Sequence, residues 1–368
     1  MATIINREAF AKALKVCVPV SAKSTKCPSM LLSVRRDSAT LQATNDTVSV
    51  SYRLNAESTF TGDVLLSPRV LRALQAEHGE EVLLTPNEKT IVVRIDSDQW
   101  EFGTSDPQEF PPFEWSSGCD ASMSAEEFSK ALKFVEHAVE KDGSNTRYAM
   151  GGVCLEFAWL KGCTVQATDG RRMAFTSVEM VDELGEKREG KRVAIIPAAT
   201  IPALKTLCGM ADRIEVVEVG EQVQFSAGRL TLISKLLEGR FPNIRAQEQK
   251  GKPFAWLIAG QLRDAVQAAA VCADSNDPGM DLFFESADGI ASVYARCTSE
   301  IGKSSGYGVC ENVEDKRSLS LKPEFVLEAL KQIPEESAIE LRANESGTMQ
   351  INSECGIAVI AGMTKNEP

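Results

Sequence analysis

Two spacings of apolar residues alternate along this chain and predict its secondary structure. Near the N-terminus the apolar positions recur at helical intervals, which predicts a helix over residues 7–16 with a core face. That face comprises Phe10, Ala13, Leu14 and Cys17. The segments that follow, "MLLSVRR", "ATLQATN" and "VSVSYRL", alternate apolar and polar residues over short runs, as half-buried antiparallel strands do.

A second helix and four more strands complete the first third of the chain. "DVLLS" predicts a strand, residues 68–77 a helix, and "EVLLTP", "TIVVRI" and "QWEFGT" three further strands. Because the strand-like run "TII" leads into the first helix, the pattern is strand, helix and three strands, and it occurs twice.

The same arrangement recurs along the chain. "QATND" and "QATDG" place Thr44 and Thr168 124 residues apart, and similar helices precede them. Their sequences are "EAFAKALK" and "EEFSKALK", and "GQLRDAVQ" is a weaker third copy. The second helix places Leu74, Leu204 and Leu330 at steps of 130 and 126. Two independent markers with similar steps predict three diverged copies of a unit of about 120 residues, a usual domain size.

The predicted fold class is α+β, with three similar domains that each contain two such units. "TSDPQEFPPFEWSSG" and "GRFPNIRAQEQKGKP" carry Pro and Gly and are interpreted as crossings between copies. We place the domains at residues 1–118, 119–248 and 249–368.

The composition is typical of a soluble protein. Apolar residues make up 43% and charged residues 25% of the 368 residues, as in soluble globular proteins. No apolar run approaches the roughly 20 residues needed to cross a bilayer. The N-terminus "MATIINREAFAKALK" lacks a signal-peptide core, so we expect a cytoplasmic protein without membrane contact.

The charge pattern matters more than the net charge of −12, which by itself disfavours indiscriminate binding to nucleic acid. Lys12 and Lys15 lie opposite the apolar face of the first helix, and Lys130 and Lys133 hold matching positions in the second copy. This recurrence favours a functional basic face over a merely solvated one. In the third copy Asp264 and Gln267 occupy the positions of these lysines, and Arg263 lies beside them.

The sequence gives little support for a catalytic site or a metal site. The ten cysteines are scattered without a Cys-x-x-Cys pair, which predicts reduced, mostly buried thiols and no structural metal or cofactor. "GEKREGKR" at residues 185–192 imitates a phosphate-binding loop, but it lacks the Ser/Thr that would hold magnesium and joins two strand-like runs. With only His78 and His137 in the chain, no Ser-His or Cys-His site is indicated, and we expect no catalytic residue.

Several longer segments resemble one family. "VQATDGRRMA", "SKLLEGRFPNIR" and "NTRYAMGGVCLEF" resemble the second domain of the β sliding clamp of bacterial DNA polymerase III, and "KPEFVLEALKQI" and "IAVIAGM" resemble its third. The resemblance spans nearly the whole chain in order. It implies a DNA clamp fold in which two chains close head to tail into a ring, with helices lining the hole and sheets outside.

The resemblance also implies function and partners. A clamp is a non-catalytic subunit that encircles duplex DNA without sequence specificity and tethers the polymerase. Positions that match the family's pocket for partner peptides, used by the polymerase, the clamp loader and repair factors, are Met150, Thr168, Gly170, Arg171, Arg172, Met173, Pro242, Phe325, Val359, Ile360 and Met363. Candidate DNA contacts are Lys12, Lys15, Lys23, Lys26, Arg72, Lys130, Lys133, Arg147, Tyr148, Lys205, Arg263 and Lys331. Candidate positions at the homodimer interface are Trp100, Phe102, Val271 and Cys272.

Some positions depart from the family pattern. Arg171 replaces a usual His, Gly362 replaces a Pro, and the chain continues to Pro368. Ala246 and Gln247 replace a basic-apolar pair, and an apolar aromatic residue is expected near Asp277. These differences leave open a specialised clamp-like scaffold, which serves a phage or plasmid polymerase or binds partner peptides without encircling DNA.

Overall fold

The first third of the chain follows the predicted order of elements. In the computed structural model the described residues are 2–76, 78–141, 147–158, 162–182, 191–274 and 279–363. The elements of the first third are β1 (Thr3–Asn6), α1 (Arg7–Ser21), β2 (Met30–Val34), β3 (Ser38–Thr44), β4 (Val48–Asn55), β5 (Glu57–Ser58), β6 (Gly62–Leu66), α2 (Val70–Ala76), β7 (Glu81–Pro86), β8 (Thr90–Ile95) and β9 (Asp98–Gly103).

The second and third parts repeat this order. The second contains β10 (Ala121–Ser124), α3 (Ala125–Val135), β11 (Gly152–Ala158), β12 (Gly162–Thr168), β13 (Arg172–Val178), β14 (Met180–Asp182), β15 (Lys191–Pro197), α4 (Ile201–Cys208), β16 (Arg213–Val219), β17 (Gln222–Ala227) and β18 (Leu230–Lys235). The third contains β19 (Ala255–Ile258), α5 (Ala259–Ala269), β20 (Met280–Ala287), β21 (Ile290–Ser299), β22 (Gly302–Val309), β23 (Asn312–Val313), β24 (Arg317–Leu321), α6 (Pro323–Leu330), β25 (Ala338–Ala343), β26 (Met349–Ser353) and β27 (Gly356–Ile360).

Within the described residues, strand-helix-strand-strand-strand occurs six times, with β5, β14 and β23 as short additions. The predicted α+β fold of three similar copies is therefore confirmed. Short 3-10 turns lie between these elements, at Pro107–Glu109, Glu136–Ala138, Ala198–Thr200, Ile244–Gln247 and Ala270–Cys272.

The backbone forms two compact units. Unit 1 comprises Met1–Ser129, Met180–Arg188 and Ala199–Leu236, and unit 2 comprises Lys130–Glu179, Glu189–Ala198 and Leu237–Pro368. The three domain boundaries placed from the sequence stay a prediction.

Unit 1 contains two antiparallel sheets. One has the order β5-β1-β7-β8-β9, and the other has nine strands in the order β14-β10-β16-β17-β18-β4-β3-β2-β6. The second sheet joins two copies of the repeat, because β18 pairs with β4 and places Ser234 opposite Val48.

Unit 2 is built in the same way. A nine-stranded sheet has the order β15-β11-β12-β13-β27-β26-β25-β19-β23, and a four-stranded sheet has the order β22-β21-β20-β24. Here β13 pairs with β27 and places Arg172 opposite Ile360. This pairing brings together segments that are far apart in sequence. Both strands carry positions that match the family's pocket for partner peptides, which is called the candidate groove below.

The first helix is longer than its prediction and the second is shorter. Helix α1 begins after Asn6, whose side chain accepts from the Ala9 N–H at 3.0 Å, and continues through Pro19 to Ser21. Proline near the end of a helix removes only its own hydrogen bond to the preceding turn, so α1 extends past the predicted limit. Helix α2 spans Val70–Ala76, because Pro68 and Arg69 form a turn before it.

The predicted face of helix α1 is confirmed, since Phe10, Ala13, Leu14 and Cys17 are buried. Helix α3 buries a corresponding face, which comprises Phe128, Leu132 and Val135. The prediction of mostly buried thiols is also confirmed, since seven of the ten cysteines are buried and the described cysteines form no disulfide with one another. Among the described residues, no helix is long and apolar enough to cross a membrane.

Candidate functional site

The turn between β12 and β13 is held by its own side chains. Asp169 Oδ1 accepts from the backbone N–H of Arg171 at 2.9 Å and of Arg172 at 3.0 Å. The Thr168 hydroxyl donates to the Arg172 carbonyl at 2.7 Å and accepts from the Gly170 N–H at 3.1 Å. Gly170 has φ +85°, which glycine tolerates best, so the residue type and these hydrogen bonds together hold the turn.

Arg172 connects this turn to helix α6. Its side chain is only 6% exposed, its Nε lies 3.1 Å from Asp169 Oδ2, and its Nη1 binds the Glu328 carboxylate. The guanidinium carbon lies 4.3 Å from the centre of the Phe325 ring. A buried guanidinium needs compensating charge and hydrogen bonds, and two carboxylates and an aromatic face supply them here. The conformation of the turn is therefore coupled to the position of α6.

An apolar cluster lies beside the turn. Met173 stands opposite Val359 in the pairing of β13 with β27. The cluster is made of Met173, Phe175, Ile244 and Val359, with Phe241 and Ile357 packed against it. Such a wall of apolar side chains with a few fixed polar groups suits an extended peptide.

The remaining groove candidates contact the same elements. The Met150 side chain lies against Gly170, and the Ala361 N–H donates to the Arg171 carbonyl at 2.9 Å. Met363 is 36% exposed, and its N–H donates to the Ser320 carbonyl at 2.8 Å. All eleven predicted groove positions belong to unit 2.

Several residues of this site were missed from the sequence. Asp169 could have been found, because Asp before Gly in a turn commonly binds the following N–H groups. No local pattern indicates Glu328, or the Arg245 guanidinium, whose carbon lies 5.1 Å from the centre of the Phe175 ring.

His137 is buried near the Arg172 cluster. Burial, and then the positive charge of Arg172, lower the pKa of His137 to about 4. Its Nδ1 lies 2.8 Å from the Phe134 carbonyl oxygen, within hydrogen-bond distance. The imidazole is therefore neutral at physiological pH.

The basic candidates of unit 1 are mostly exposed. These exposed residues are Lys12, Lys15, Lys23, Lys26 and Arg72, whereas Lys205 is half-buried. Lys12 Nζ lies 2.8 Å from Glu8 Oε1, and the two side chains are 60% and 74% exposed. The hydrogen bond and charge of Glu8 raise the pKa of Lys12, but such an exposed pair is weak and leaves Lys12 able to bind another anion.

The basic candidates of unit 2 divide into two kinds. The exposed residues are Lys130, Lys133, Arg147 and Lys331, and the Arg147 guanidinium lies 5.3 Å from the centre of the half-buried Tyr148 ring. Arg263 instead donates to the carbonyls of Leu330 and Ile333, both at 2.7 Å. Arg263 therefore fastens α5 to the end of α6, and its DNA contact stays a prediction.

Two of the interface candidates lie on an edge strand, and the other two lie in the 3-10 turn at Ala270–Cys272. Trp100 and Phe102 are half-exposed on β9, the last strand of the five-stranded sheet. Val271 is 76% exposed and adjoins Cys272, whose carbonyl accepts from the Ser299 hydroxyl at 2.7 Å.

Exposed apolar side chains near β22 were missed from the sequence. Strand β22 forms one edge of the four-stranded sheet, and the exposed residues on or beside it are Ile301, Tyr307 and Val309. An unpaired edge with apolar side chains favours association with another strand.

Some features quoted from the sequence lie outside the described residues. They are residues 145–146 of "NTRYAMGGVCLEF", residues 185–190 of "GEKREGKR", Asp277, and the tail at residues 364–368. Lys191 and Arg192, the last two residues of "GEKREGKR", begin strand β15.

Comparison with known proteins gives consistent similarities. Residues 122–243 match the family described as DNA polymerase III beta subunit, central domain. A protein named beta sliding clamp from Staphylococcus epidermidis is 32% identical over 197 residues, which are 51% of this chain and 48% of that protein. The chain thus spans about half the length of this relative. A Pseudomonas aeruginosa beta sliding clamp is 24% identical over 291 residues, 76% of each chain.

Solved structures match over the whole chain. The Pseudomonas aeruginosa DNA polymerase III subunit beta superposes with a TM-score of 0.88 at 19% identity, over 99% of this chain and 100% of that one. The Bacillus subtilis DNA polymerase sliding clamp gives 0.87 at 17% identity, over 99% of both chains. At these identities the superpositions establish the fold.

Proposed function

We propose that this chain, which is related in sequence and fold to the bacterial beta sliding clamps, is itself a DNA sliding clamp. Two copies would close head to tail around duplex DNA and hold the replicative polymerase at the primer end. The observation that carries the proposal is the match of residues 122–243 to the beta-subunit central domain, because this segment contains the turn and the whole of strand β13 of the groove.

Ring closure is assigned to two different surfaces. Strand β9 carries Trp100 and Phe102, and the turn after α5 carries Val271 and Cys272 near the free edge of β22. A contact between unlike surfaces closes into a finite ring when two copies complete the rotation. Aromatic anchors on β9 and exposed apolar groups beside β22 supply the buried area that such an interface needs.

Contact with DNA is assigned to the exposed lysines and arginines. Such groups bind phosphates without reading sequence, and binding weakens as salt rises. The net charge of −12 opposes indiscriminate adsorption, so DNA would be held by enclosure and only weakly by charge.

Partner binding is assigned to the groove of unit 2. An extended peptide would lie along the Met173 and Val359 wall, with the Arg172 turn at one side. Polymerase, clamp loader and repair factors would compete for this groove. Tethering raises the polymerase's effective concentration at the primer end, to the mM range for a short linker.

The chain would thus act in the cytoplasm as a non-catalytic accessory subunit of a DNA polymerase. A processivity assay on primed circular DNA tests this, with the same DNA linearised as the control. A clamp that is loaded onto the circle stays there and supports long products, whereas it runs off free ends. Equal retention on both forms would contradict the proposal.

The second candidate is a clamp-like scaffold with altered partner choice. It is favoured by Arg171, which is exposed at the groove where the family usually has His. The scaffold would be supported by partner-peptide binding with no retention on circular DNA, or by retention with no gain in polymerase product length.

A further inference from the structure

The turn between β3 and β4 in unit 1 repeats the geometry of the groove turn in unit 2. Asn45 Oδ1 accepts from the backbone N–H of Thr47 at 2.8 Å and of Val48 at 2.9 Å. Asp169 makes the same two bonds, to the residues two and three positions later. Thr44 and Thr168 precede these residues in the repeated "QAT" sequence.

The strands beside the two turns are paired in the same register. Ser49 stands opposite Ile233 in unit 1, where unit 2 has Met173 opposite Val359. The segments that follow the repeats also correspond, since "FPPF" at residues 110–113 matches "FPNI" at residues 241–244. Unit 1 therefore has a structural equivalent of the candidate groove.

A pocket of about 150 Å³ lies at this equivalent position. Its lining includes Lys26, Ser49, Phe113, Ile233 and Lys235. Phe113 and Ile233 correspond to Ile244 and Val359 of the apolar cluster in unit 2. Two of the four positions of the apolar cluster are thus apolar in both units.

The polar lining differs between the two sites. Ser49 replaces Met173, and Val48 replaces the buried Arg172. Lys26 and Lys235 are exposed at the pocket, and within the described residues neither ammonium group has a carboxylate within ion-pair distance. Asp46 also lines the pocket, and its carboxylate accepts from the Thr25 hydroxyl at 3.0 Å. The lining therefore carries an excess of one positive charge.

We infer that this pocket is a second docking site, which binds an extended acidic peptide of a partner protein. The apolar wall takes leucine-like side chains, and Lys26 and Lys235 pair with carboxylates on the same peptide. A DNA backbone offers phosphates but no side chain for the Phe113 and Ile233 wall. The site is separate from the groove of unit 2, so its test does not depend on the proposed clamp activity.

The test uses a fluorescein-labelled hexapeptide of alternating aspartate and leucine, and its fluorescence anisotropy in the absence of DNA. We expect saturable binding, weakened about threefold by each of Lys26→Ala and Lys235→Ala, as for partly exposed ion pairs. Lys235→Glu should weaken binding further and Lys235→Arg should restore it. Lys89→Ala removes an exposed lysine elsewhere in unit 1 and should leave binding unchanged. A peptide of alternating asparagine and leucine should bind more weakly, and its affinity should not change when Lys235 is substituted.

Three results would overturn the inference. The first is no saturable binding of the acidic peptide up to roughly 1 mM. The second is an affinity that is unchanged by the Lys235 substitutions but is lowered by Arg171→Ala, which places the peptide in the groove of unit 2. The third is a labelled duplex oligonucleotide that binds more tightly than the peptide with the same dependence on Lys235, which identifies a nucleic-acid site.

Discussion

Arg172 and Glu328 form an ion pair across 156 positions of sequence and join strand β13 to helix α6. The same guanidinium binds Asp169 within its own turn. One buried charge thus fixes the turn that borders the candidate groove and sets it against the helix that contributes Phe325.

Arg172→Ala should destabilise unit 2. Removing one partner of a buried pair leaves Asp169 and Glu328 uncompensated, and we expect a loss of about 3 kcal/mol in the free energy of unfolding. Chemical denaturation followed by a probe in unit 2 measures this. Arg171→Ala is the matched control, because Arg171 is the exposed neighbour. Its effect should stay within about 0.5 kcal/mol. Equal losses of unfolding free energy in the two variants would mean that the ion pairs of Arg172 do not stabilise unit 2.

The imidazole of His137 should titrate far below an exposed histidine. Its pKa is lowered from 6.5 to about 4 by burial and by the Arg172 charge. The chain has two histidines, so the single imidazole resonance of a His78→Gln variant reports His137. We expect an NMR midpoint near pH 4. A midpoint near 6.5 would show that His137 is accessible to water.

The same shift predicts a loss of stability in acid. Because the folded pKa lies below the unfolded one, the contribution of neutral His137 is complete above pH 6.5 and falls as pH drops towards 4. Replacing His137 by Gln should remove this component of the pH dependence of unfolding. An unchanged slope between pH 6.5 and 4 in the variant would contradict the assignment.

Cys272 should be protected when two chains associate. Cys119, Cys272 and Cys355 are half-buried, and the other seven cysteines are buried. Burial raises the pKa of Cys154 and Cys310 to about 12, which keeps these thiols protonated and slow to react. Thiol labelling followed by mass spectrometry should show Cys272 slowing as protein concentration rises. Cys119 is the internal control, and a common concentration dependence at both sites would refute protection by an interface.

Trp100→Glu should open the proposed ring. A charge at an aromatic anchor on edge strand β9 should weaken dimerisation by about thirtyfold or more, as at an interface hot spot. Sedimentation velocity over a nanomolar to micromolar series measures the change. Glu101→Ala, at the adjacent exposed position, is the control and should leave the dimer intact. Equal dimerisation of the Trp100→Glu variant and the wild type would contradict the placement of Trp100 at the interface.

The repeating elements could be predicted because local periodicity determines them. The burial of Phe10 and Phe128 follows from helical spacing, and the strand limits of β7 and β8 match the predicted runs. The turn at Gly170 was also predictable, because residue type restricts backbone conformation there.

Long-range partners could not be predicted in the same way. Alternation identifies β13 and β27 as strands but does not state that Arg172 stands opposite Ile360. The hydrogen bonds from Arg263 to the end of α6 likewise depend on tertiary packing. The sequence shows only that position 263 is basic and does not show these partners. Charge patterns reveal which groups are available, and the fold decides which of them are already engaged.

Enclosure of DNA is tested most directly by imaging the purified dimer as single particles. We predict a closed ring of two chains with a central opening wide enough for B-form duplex DNA. Particles without an opening, or with one too narrow for the duplex, would contradict the proposal that this chain is a sliding clamp.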